Sequence, residues 1–512
     1  MEIKDIIIQA GGKGTRLEHL TYNKPKCIVS VNNLPIIFHA FKKFPNAHFR
    51  VISDYKSDVL EKYLSVYAKE YNYTIIKTDK TGTISGIKDS LKTIKDNTPF
   101  MIMWSDIILS DNFQFPSEAN NYIGISKDFE CRWSYVNDEF IKTPSKENGI
   151  AGLFIFKDKS YLSDITEEGA FVRYLSGKKI NFNRLNLYGA KEIGTLLAYD
   201  EGEGCKPKCR PFNHMDFLGD IVVKKPITLQ GEKIAKDEIA WYKKIMDLGY
   251  KNIPEIYEFE PLKMKVIDGK NIFEYGNPSK RQKQIILGQL IKSLNDLHNL
   301  ADKVPVSKEC VIKNYLTKTF DRIDSVRDLI PFANDEFIRI NGNLYKNPFF
   351  IKDEIKNKIN KIMPETFSLI HGDCTFSNLM YDTFNEKVVL IDPRGYFGDT
   401  KLFGDENYDW AKLYYSLIGN YDQFNRKNFI LEIDENNVNL EIKSNGWECM
   451  EKEFFAQIGP DKAETIKFIH SIIWLSLTTY AWDDYDSICG AFYNGVIYLN
   501  DALEKTVLEL SN

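Results

Sequence analysis

Short apolar runs alternate with amphipathic stretches over the first 200 residues of the chain. Five of these runs have the length of a β-strand: DIIIQA, FRVISD, TIIKTD, PFMIMWSD and AGLFIF. Repetition of strand, helix and strand predicts parallel pairing with right-handed crossovers. We therefore expect an α/β domain over residues 1–203, built on a doubly wound and mostly parallel sheet.

The pattern changes after DEGEGCKPKCR, a charged stretch whose only apolar side chains are its cysteines. We place a linker at residues 204–210 and a second domain at 211–512. This second part begins with strand-like segments, FLGDIVVKK and LKMKVID, and continues with apolar residues at three- and four-residue spacing, as at 282–298. Such spacing is typical of amphipathic helices. An α+β domain with a mostly helical C-terminal half is therefore predicted.

Composition narrows the class of protein. The chain has 512 residues, 43% of them hydrophobic, and a formal net charge of −5, so general disorder and a strongly basic nucleic-acid-binding face are both disfavoured. The apolar run at the N-terminus is shorter than that of a signal peptide, and no run approaches the length of a membrane span, so we expect a cytoplasmic protein without membrane or nucleic-acid partners. The eight scattered cysteines read as free thiols, although Cys205 and Cys209 could form half of a zinc site.

The first candidate site is IIIQAGGKGTRL at residues 6–17. Glycines after a strand allow a tight turn that exposes backbone N–H groups, and such a loop at a helix N-terminus binds anions. The loop lacks the Gly-Lys-Ser/Thr ending of a Walker motif and the third glycine of the dinucleotide fingerprint. Taken alone, it is equally compatible with an ordinary turn.

The longer stretch GGKGTRLEHLTYNKPK at 11–26 resembles the signature of sugar-phosphate nucleotidylyltransferases and choline-phosphate cytidylyltransferases. The resemblance extends over about 200 residues and implies that Arg16 and Lys26 bind the triphosphate and help pyrophosphate to leave. TGTISG at 81–86 resembles the base-contacting segment of that family. Asp106 and Glu192 match its two magnesium ligands, and Lys142 its contact to the acceptor phosphate. The implied nucleotide-binding residues are Ala10, Gly11, Gly12, Gly14, Thr15, Gly82, Thr83, Gly86 and Lys142.

Two residues depart from the usual pattern of that family, Glu192 where Asp is common and Gln9 where a small residue is common. The implied reaction is attack of a phosphate monoester on the α-phosphorus of a nucleoside triphosphate. Because both reactants are anions, Mg²⁺ and basic side chains must screen their charge, and the ionised nucleophile requires no general base.

The second candidate site is HGDCTFSNLMYD at 371–382, followed by VVLIDPRG at 388–395. An acid two residues after His371 and an Asn five residues further on reproduce the spacing of a kinase catalytic loop. The two motifs resemble those of the aminoglycoside phosphotransferase and choline kinase family, whose fold is bilobal and kinase-like. The resemblance implies that Asp373 orients and deprotonates a substrate hydroxyl, while Asn378 and Asp392 hold the Mg²⁺ of ATP.

The same resemblance predicts a lobe at about 211–276 and a second lobe at about 277–512. In the first lobe, Lys224 or Lys225 would bind the ATP phosphates, with Lys224 preferred, and Glu238 would pair with that lysine. Residues 265–275 resemble the segment that contacts adenine. Asp409, in GDENYDWAKL, is either the acid that supports the catalytic loop or an ordinary residue of a helix N-terminus.

Together the two sites predict a bifunctional enzyme that phosphorylates a small alcohol with ATP and then transfers a nucleotidyl group to the new phosphate. CTP is the favoured second nucleotide, and the product would feed surface polysaccharide synthesis. The alcohol could be a sugar, a polyol or choline. For choline, a cation-binding box could form from Trp474, Tyr480, Trp482 and Tyr485, although aromatics at helical spacing more often form core.

Three alternatives remain open from the sequence. The first domain could bind nucleotide without turnover, and the second could be a binding module or a protein kinase. An activation segment ending in Ala-Pro-Glu is not evident after Asp392, which favours a small substrate. The sequence is also compatible with a homo-oligomer.

Overall fold

The computed structural model describes residues 3–203 and 213–503. The chain divides into two compact units: unit 1 is Met1–Lys206 together with Trp482–Asp486, and unit 2 is Pro207–Ala481 together with Ser487–Asn512. Unit 1 thus includes five residues that are remote from the rest of it in sequence. The predicted linker at 204–210 and the Cys205 and Cys209 pair lie outside the described residues.

A seven-stranded sheet forms the centre of unit 1. Its strands are β1 (Asp5–Gln9), β2 (His48–Ser53), β3 (Asn72–Lys77), β4 (Phe100–Trp104), β5 (Tyr122–Ser126), β6 (Ile150–Phe156) and β7 (Asn183–Leu187), in the order β7-β5-β6-β4-β1-β2-β3. Four of the six pairings are parallel, so the predicted mostly parallel sheet is confirmed. The apolar centres of β1 and β4 are almost completely buried, as expected for central strands covered on both faces.

Parallel pairing of the AGLFIF strand was wrong. This strand is β6, which runs antiparallel to both β4 and β5. The chain between β5 and β6 contains only the short antiparallel ladder Ser134–Val136 and Glu139–Ile141. A parallel connection needs a crossover of a dozen or more residues, usually a helix, and no helix occurs there.

The remaining regular structure of unit 1 is short. Two ladders of two-residue strands flank the glycine loop and the carboxyl end of β4: Ser30–Val31 pairs with Leu34–Pro35, and Ile107–Ile108 with Lys191–Glu192. The α-helices are Ile36–Lys43, Ser57–Tyr67, Ile87–Lys92, Phe171–Ser176 and Leu196–Glu203.

Unit 2 opens with a four-stranded antiparallel sheet of β8 (Asn213–Leu218), β9 (Ile221–Pro226), β10 (Ile256–Phe259) and β11 (Leu262–Lys265), in the order β8-β9-β11-β10. FLGDIVVKK was predicted as one strand, and this was wrong. Gly219 adopts φ +66° between β8 and β9, so the stretch turns back as a hairpin. The long helix Leu229–Asp247 follows, with Thr228 as its N-cap.

The rest of unit 2 is largely helical. The predicted helix at 282–298 lies within Lys280–His298, which begins with a capping box between Ser279 and Gln282. The other α-helices are Lys308–Ile312, Lys318–Ser325, Lys352–Lys361, Glu406–Leu417, Tyr421–Asn425, Glu451–Ile458, Ala463–Leu477 and Tyr485–Ala502.

Several small sheets connect these helices, and their strands are Lys270–Asn271, Val304–Pro305, Phe337–Ile340, Asn343–Lys346, Thr366–Leu369, Leu379–Asp382, Lys387–Leu390, Tyr396–Phe397, Thr400–Lys401, Phe403–Gly404, Phe429–Ile433 and Val438–Ile442. The two candidate loop motifs of this unit lie around one of these sheets, in which Leu379–Asp382 pairs with Lys387–Leu390. Across the described ranges, no helix combines the length and apolar character that a bilayer span requires.

Candidate functional site

The glycine loop of unit 1 follows directly from β1. The Ala10 N–H donates to the Ile52 carbonyl over 3.0 Å, which ties the start of the loop to β2. Gly14 has φ +64°, and its carbonyl accepts from Leu17 N at 2.8 Å, which starts the 3₁₀ turn Thr15–Thr21. A Cβ added to Gly12 would meet no atom within 4 Å. The loop therefore presents backbone to open space, as an anion cradle requires.

Two carboxylates and two basic side chains converge beside this loop. Asp106 follows β4, and Glu192 lies on the strand that pairs with Ile107–Ile108, so that Ile193 N donates to the Asp106 carbonyl at 2.9 Å. Lys26 donates to Asp106 Oδ2, and Arg16 Nη2 lies 3.8 Å from Glu192 Oε1. The structure thus brings together the four residues Arg16, Lys26, Asp106 and Glu192.

The surroundings of Glu192 oppose its negative charge, and a bound cation would offset this. Burial and the neighbouring Asp106 raise the pKa of Glu192, and this rise is opposed by Lys26, Arg16 and Arg132. Asp106 Oδ1 is buried and has no hydrogen-bond partner among the described residues. A buried oxygen without a partner is costly unless a donor or cation satisfies it.

Mg²⁺ typically uses one or two protein carboxylates and completes its coordination with water and phosphate oxygens. In the described parts of the chain, no cluster of three or more His, Cys, Asp or Glu side chains could hold a metal. Asp106 and Glu192 are two carboxylates, the number that Mg²⁺ bound together with a nucleotide commonly takes from a protein.

Gln9, which departs from the family pattern, organises the predicted base-contacting segment. Its Nε2 donates to the carbonyls of Thr83 and Ser85, both at 3.0 Å. Gly82 has φ +91°, and a Cβ there would lie 2.3 Å from the Gly169 carbonyl oxygen. Such a close approach of two backbones leaves room only for glycine. The segment 81–86 is therefore held in one conformation by the end of β1 and by the chain at Gly169.

Two further basic residues belong to the same domain: Lys142, which the sequence predicted as a contact, and Arg132, which it did not. Lys142 is exposed, immediately after the short strand Glu139–Ile141, and its contact to an acceptor phosphate stays a prediction. Arg132 was missed, although its charge lowers the pKa of Glu192. It lies in the sequence ECRWSY, which carries no spacing signal that could have identified it.

The segment Trp482–Asp486 holds the end of the signature within unit 1. Lys24 is 1% exposed, and its Nζ donates to Asp484 Oδ1 at 2.7 Å and to Asp486 Oδ2. Asn23 Nδ2 donates to Asp486 Oδ1 at 3.0 Å. Burial opposes the charge of Lys24, but the two carboxylates raise its pKa above the ordinary value. Lys26, a predicted catalytic residue, follows this anchored pair by only two positions.

Two of the four aromatic residues considered for a choline box, Trp474 and Trp482, pack against other side chains. Trp474 is fully buried in unit 2, where its Nε1 donates to His470 Nε2 at 2.9 Å and its ring packs on Tyr415. Trp482 belongs to unit 1 and packs edge-on against Phe38, with ring centroids 5.8 Å apart. Trp474 is therefore a core residue, and Trp482 is half-buried against the aromatic side chains of Phe38 and Tyr67.

In unit 2, the first predicted constellation is assembled around Lys224. This lysine lies on β9, is 7% exposed, and donates to both carboxylate oxygens of Glu238 at 2.9 and 2.8 Å and to Asp392 Oδ1 at 2.5 Å. Lys225 instead pairs with Asp216 at the surface. Asp392 has φ +54°, a backbone conformation that is rare outside glycine and clusters at functional sites.

The catalytic-loop motif is supported from the helix Glu406–Leu417. The buried carboxylate of Asp409 accepts from the N–H groups of His371 at 2.8 Å and Gly372 at 2.7 Å. Burial opposes ionisation of Asp409, but the hydrogen bond and charge of His298, together with His371, hold its pKa below the usual value. His371 Nε2 bonds the Ile391 carbonyl at 2.9 Å, which connects the two loop motifs.

The remaining predicted residues meet at Asp373. Asn378 Nδ2 donates to the Asp373 carbonyl at 2.9 Å. The Asp373 carboxylate lies 3.2 Å from Lys412 Nζ and 3.4 Å from Arg394 Nε. Sequence reasoning missed Lys412 and Arg394, although both lie in stretches that had been singled out, DWAKL and IDPRG.

Comparisons with known proteins concern the N-terminal part of the chain. Residues 5–121 match the nucleotidyl transferase family. Mannose-1-phosphate guanyltransferase of Saccharomyces cerevisiae is 37% identical over 117 residues, covering 21% of this chain and 32% of the relative. The corresponding protein of Pichia angusta is 37% identical over 109 residues, covering 20% and 30%. This chain therefore spans about a third of the length of the curated relatives it matches.

Among solved structures, HddC from Yersinia pseudotuberculosis shares 18% identity and a TM-score of 0.34, covering 39% of this chain and 98% of its own. The CTP:phosphocholine cytidylyltransferase LicC of Streptococcus pneumoniae shares 20% identity and a TM-score of 0.32, with the same coverage. On the family match, unit 1 carries a nucleotidyltransferase domain, as the sequence predicted.

Proposed function

We propose that the protein is a bifunctional enzyme with two successive reactions. Unit 2 phosphorylates the hydroxyl of a small alcohol with ATP. Unit 1 then transfers a nucleotidyl group from a second nucleoside triphosphate to that phosphate. The product is a nucleoside-diphosphate-activated alcohol, and pyrophosphate is released. Surface polysaccharide synthesis is the process we propose for its use.

The nucleotidyl step rests on the convergence of Asp106, Glu192, Lys26 and Arg16 beside the glycine loop. An oxygen of the phosphate monoester bonds to the α-phosphorus, the bond from this phosphorus to the bridging oxygen of the β-phosphate breaks, and pyrophosphate leaves. Asp106 and Glu192 would hold Mg²⁺, which screens the charge of the two anions. Arg16 is half exposed and free to turn toward the leaving pyrophosphate.

The kinase step rests on the second constellation. Lys224, buried and paired with Glu238, would bind the ATP phosphates, and Asp392 and Asn378 would hold their Mg²⁺. Asp373 would accept the proton of the alcohol hydroxyl while its oxygen bonds to the γ-phosphorus and ADP leaves. The two N–H bonds to Asp409 fix the loop that carries Asp373.

Substrate choice is open to direct test. For the nucleotidyl step, the sequence favours CTP, and GTP is the other candidate because the curated relatives are named as guanyltransferases. Pyrophosphate release should therefore be measured with CTP, GTP, UTP and dTTP, each against sugar phosphates, polyol phosphates and phosphocholine. One pairing should exceed the others by at least tenfold.

The experiment that tests the proposal compares Asp106→Asn with Asp111→Asn, an exposed neighbour five residues away. Loss of one metal-binding carboxylate should lower pyrophosphate release at least 10²-fold, and the control should retain activity. Unchanged release by Asp106→Asn would leave the nucleotidyl site without its metal ligand and refute the assignment. ATP binding without ADP formation from any alcohol would make unit 2 a binding module.

A further inference from the structure

Four basic side chains lie near one another beside the predicted catalytic Asp373 of unit 2, and we call them the cationic cluster: Lys318, Arg322, Arg394 and Lys412. Lys412 and Arg394 contact the Asp373 carboxylate at 3.2 and 3.4 Å. Tyr480 joins the cluster, since its hydroxyl oxygen accepts from Arg322 Nη2 at 3.2 Å and from Arg394 Nη1 at 3.5 Å.

The cluster is built into the fold and is not a set of freely solvated lysines. The Lys412 side chain is 12% exposed and lies over the ring of Tyr415 at 5.3 Å. The Arg322 guanidinium lies over the Tyr480 ring at 4.5 Å. Lys318 and Arg322 are one turn apart on the helix Lys318–Ser325, and Lys318 donates to Asn314 Oδ1.

Positive charge exceeds negative charge at this place. Burial, followed by the charges of Arg322, Arg394 and Lys412, lowers the pKa of Lys318 well below its ordinary value. Burial opposes ionisation of Tyr480, but Arg394 and Arg322 lower the pKa of its phenol to about 8. Asp373 carries one negative charge, whereas Arg322, Arg394 and Lys412 carry three positive charges even when Lys318 is neutral. Like charges held close together in a partly buried site are costly unless an anion binds among them.

The position of the cluster decides which anion that is. Asp373 would face the hydroxyl of the acceptor, whereas Lys224 would hold the ATP phosphates together with Glu238 and Asp392. Arg322 is linked to Asp373 through the Tyr480 hydroxyl and Arg394, and Lys318 lies one turn from Arg322 on the same helix, whereas the contacts of Lys224 are Glu238 and Asp392. Arg322 and Lys318 would therefore meet the acceptor, at a point removed from its reacting hydroxyl.

We propose that the alcohol phosphorylated by unit 2 is itself an anion, whose phosphate or carboxylate group binds the cationic cluster. This inference rests on the proposed kinase function. A cationic alcohol such as choline would be repelled by the cluster, and a neutral sugar would leave its charge unpaired. The product of unit 2 would then carry two anionic groups, and unit 1 would activate only the newly added phosphate.

The test uses the full-length protein with MgATP and measures ADP release from matched acceptors. Glycerol, glycerol 3-phosphate and glycerate differ in charge on one carbon skeleton, and sugars are compared with their phosphate esters in the same way. Anionic members should show kcat/KM at least 10²-fold above their neutral parents, and choline should be inactive. A preference for phosphate over carboxylate would identify the anion.

Arg322 provides the discriminating variant because it does not touch Asp373. Arg322→Gln should raise KM for the anionic acceptor at least tenfold while KM for ATP stays within twofold, and Arg322→Lys should recover part of the loss. Arg281→Gln, an exposed arginine at the start of the helix Lys280–His298, is the matched control. A rise in KM for ATP alone would assign the cluster to the γ-phosphate and overturn the proposal.

A binding measurement separates failure of this inference from failure of the kinase assignment. Inorganic phosphate and glycerol 3-phosphate should slow amide hydrogen exchange of the helix Lys318–Ser325 in the wild-type protein, and Arg322→Gln should abolish the effect. Absence of ADP release with intact anion binding would refute only the kinase function. Absence of anion binding, or better turnover of neutral alcohols or choline, would overturn the anionic acceptor.

Discussion

Replacing Lys24 by Met removes the cation that pairs with two buried carboxylates of unit 1. Asp484 and Asp486 are 5% and 7% exposed, so neither carboxylate would gain much hydration. One way to relieve the unpaired buried charge is to protonate an aspartate, which costs about 1.36 kcal/mol for each unit by which the pH exceeds the ordinary pKa near 3.9, or about 4 kcal/mol at pH 7. Breaking buried ion pairs by removing one partner costs a similar ~3–5 kcal/mol.

The expected loss is therefore about 4 kcal/mol in the free energy of unfolding of unit 1 at pH 7. The sign with pH follows from the same protonation: acidification makes the neutral aspartate cheaper, so the cost should fall by about 1.4 kcal/mol for each pH unit below 7. The triple variant Lys24→Met, Asp484→Asn, Asp486→Asn should recover most of the loss, because no buried charge remains.

Hydrogen exchange of the β1 amides, followed by mass spectrometry of peptides, reports unfolding of unit 1 separately from unit 2. The control is Lys92→Met, which removes an exposed lysine paired with Asp89 and should cost less than about 0.5 kcal/mol. A loss below about 1 kcal/mol for Lys24→Met, or a loss that does not change between pH 5 and pH 7, would refute the reasoning from a buried ion triad.

Three further predictions concern single side chains. Asp409→Asn keeps the size of the side chain but removes the negative charge that accepts from the N–H groups of His371 and Gly372. ADP release should therefore fall at least tenfold, and amide hydrogen exchange of residues 371–372 should become faster. Unchanged exchange would contradict the supporting role of Asp409. The phenolate absorbance that distinguishes wild type from Tyr480→Phe should titrate near pH 8, and Arg394→Met should move this midpoint toward pH 10. Because the pKa of Tyr480 is lowered in the folded state, ionisation of Tyr480 should increase the free energy of unfolding as the pH rises from about 8 to 10. This contribution should be lost as the pH falls through 8. Gln9→Ala frees the 81–86 segment and should raise KM for the second nucleotide several-fold, measured by pyrophosphate release, whereas an unchanged KM would make Gln9 merely structural.

The local pattern of apolar and polar residues was sufficient to predict elements that are formed by residues close together in the sequence. The strand before the glycine loop and the helix Lys280–His298 both follow from periodicity within a few residues. The antiparallel direction of β6 was missed because pairing direction depends on the connection, and the 23 residues between β5 and β6 contain no helix that could serve as a crossover.

At the candidate sites, the contacts that could not be predicted join residues that are far apart in the sequence. Lys24 and Asp484 are 460 residues apart, and no pattern along the chain connects them. The cationic cluster likewise draws on a helix near 320 and on two motifs near 394 and 412, so its excess charge becomes visible only when these segments meet around Asp373. Motif spacing led to the proposed chemistry of each site, whereas the proposed preference for an anionic acceptor depends partly on Lys318 and Arg322, which lie outside the motifs.

The central claim is that two reactions occur in succession on one chain, and one measurement tests it most directly. The full-length protein, with Mg²⁺ and the preferred second nucleotide, is given an acceptor either as the free alcohol or as its phosphate, with and without ATP. We expect pyrophosphate release to require ATP when the acceptor is the free alcohol, and to proceed without ATP when the acceptor is its phosphate. Pyrophosphate release from the alcohol without ATP, or release from neither form, would contradict it.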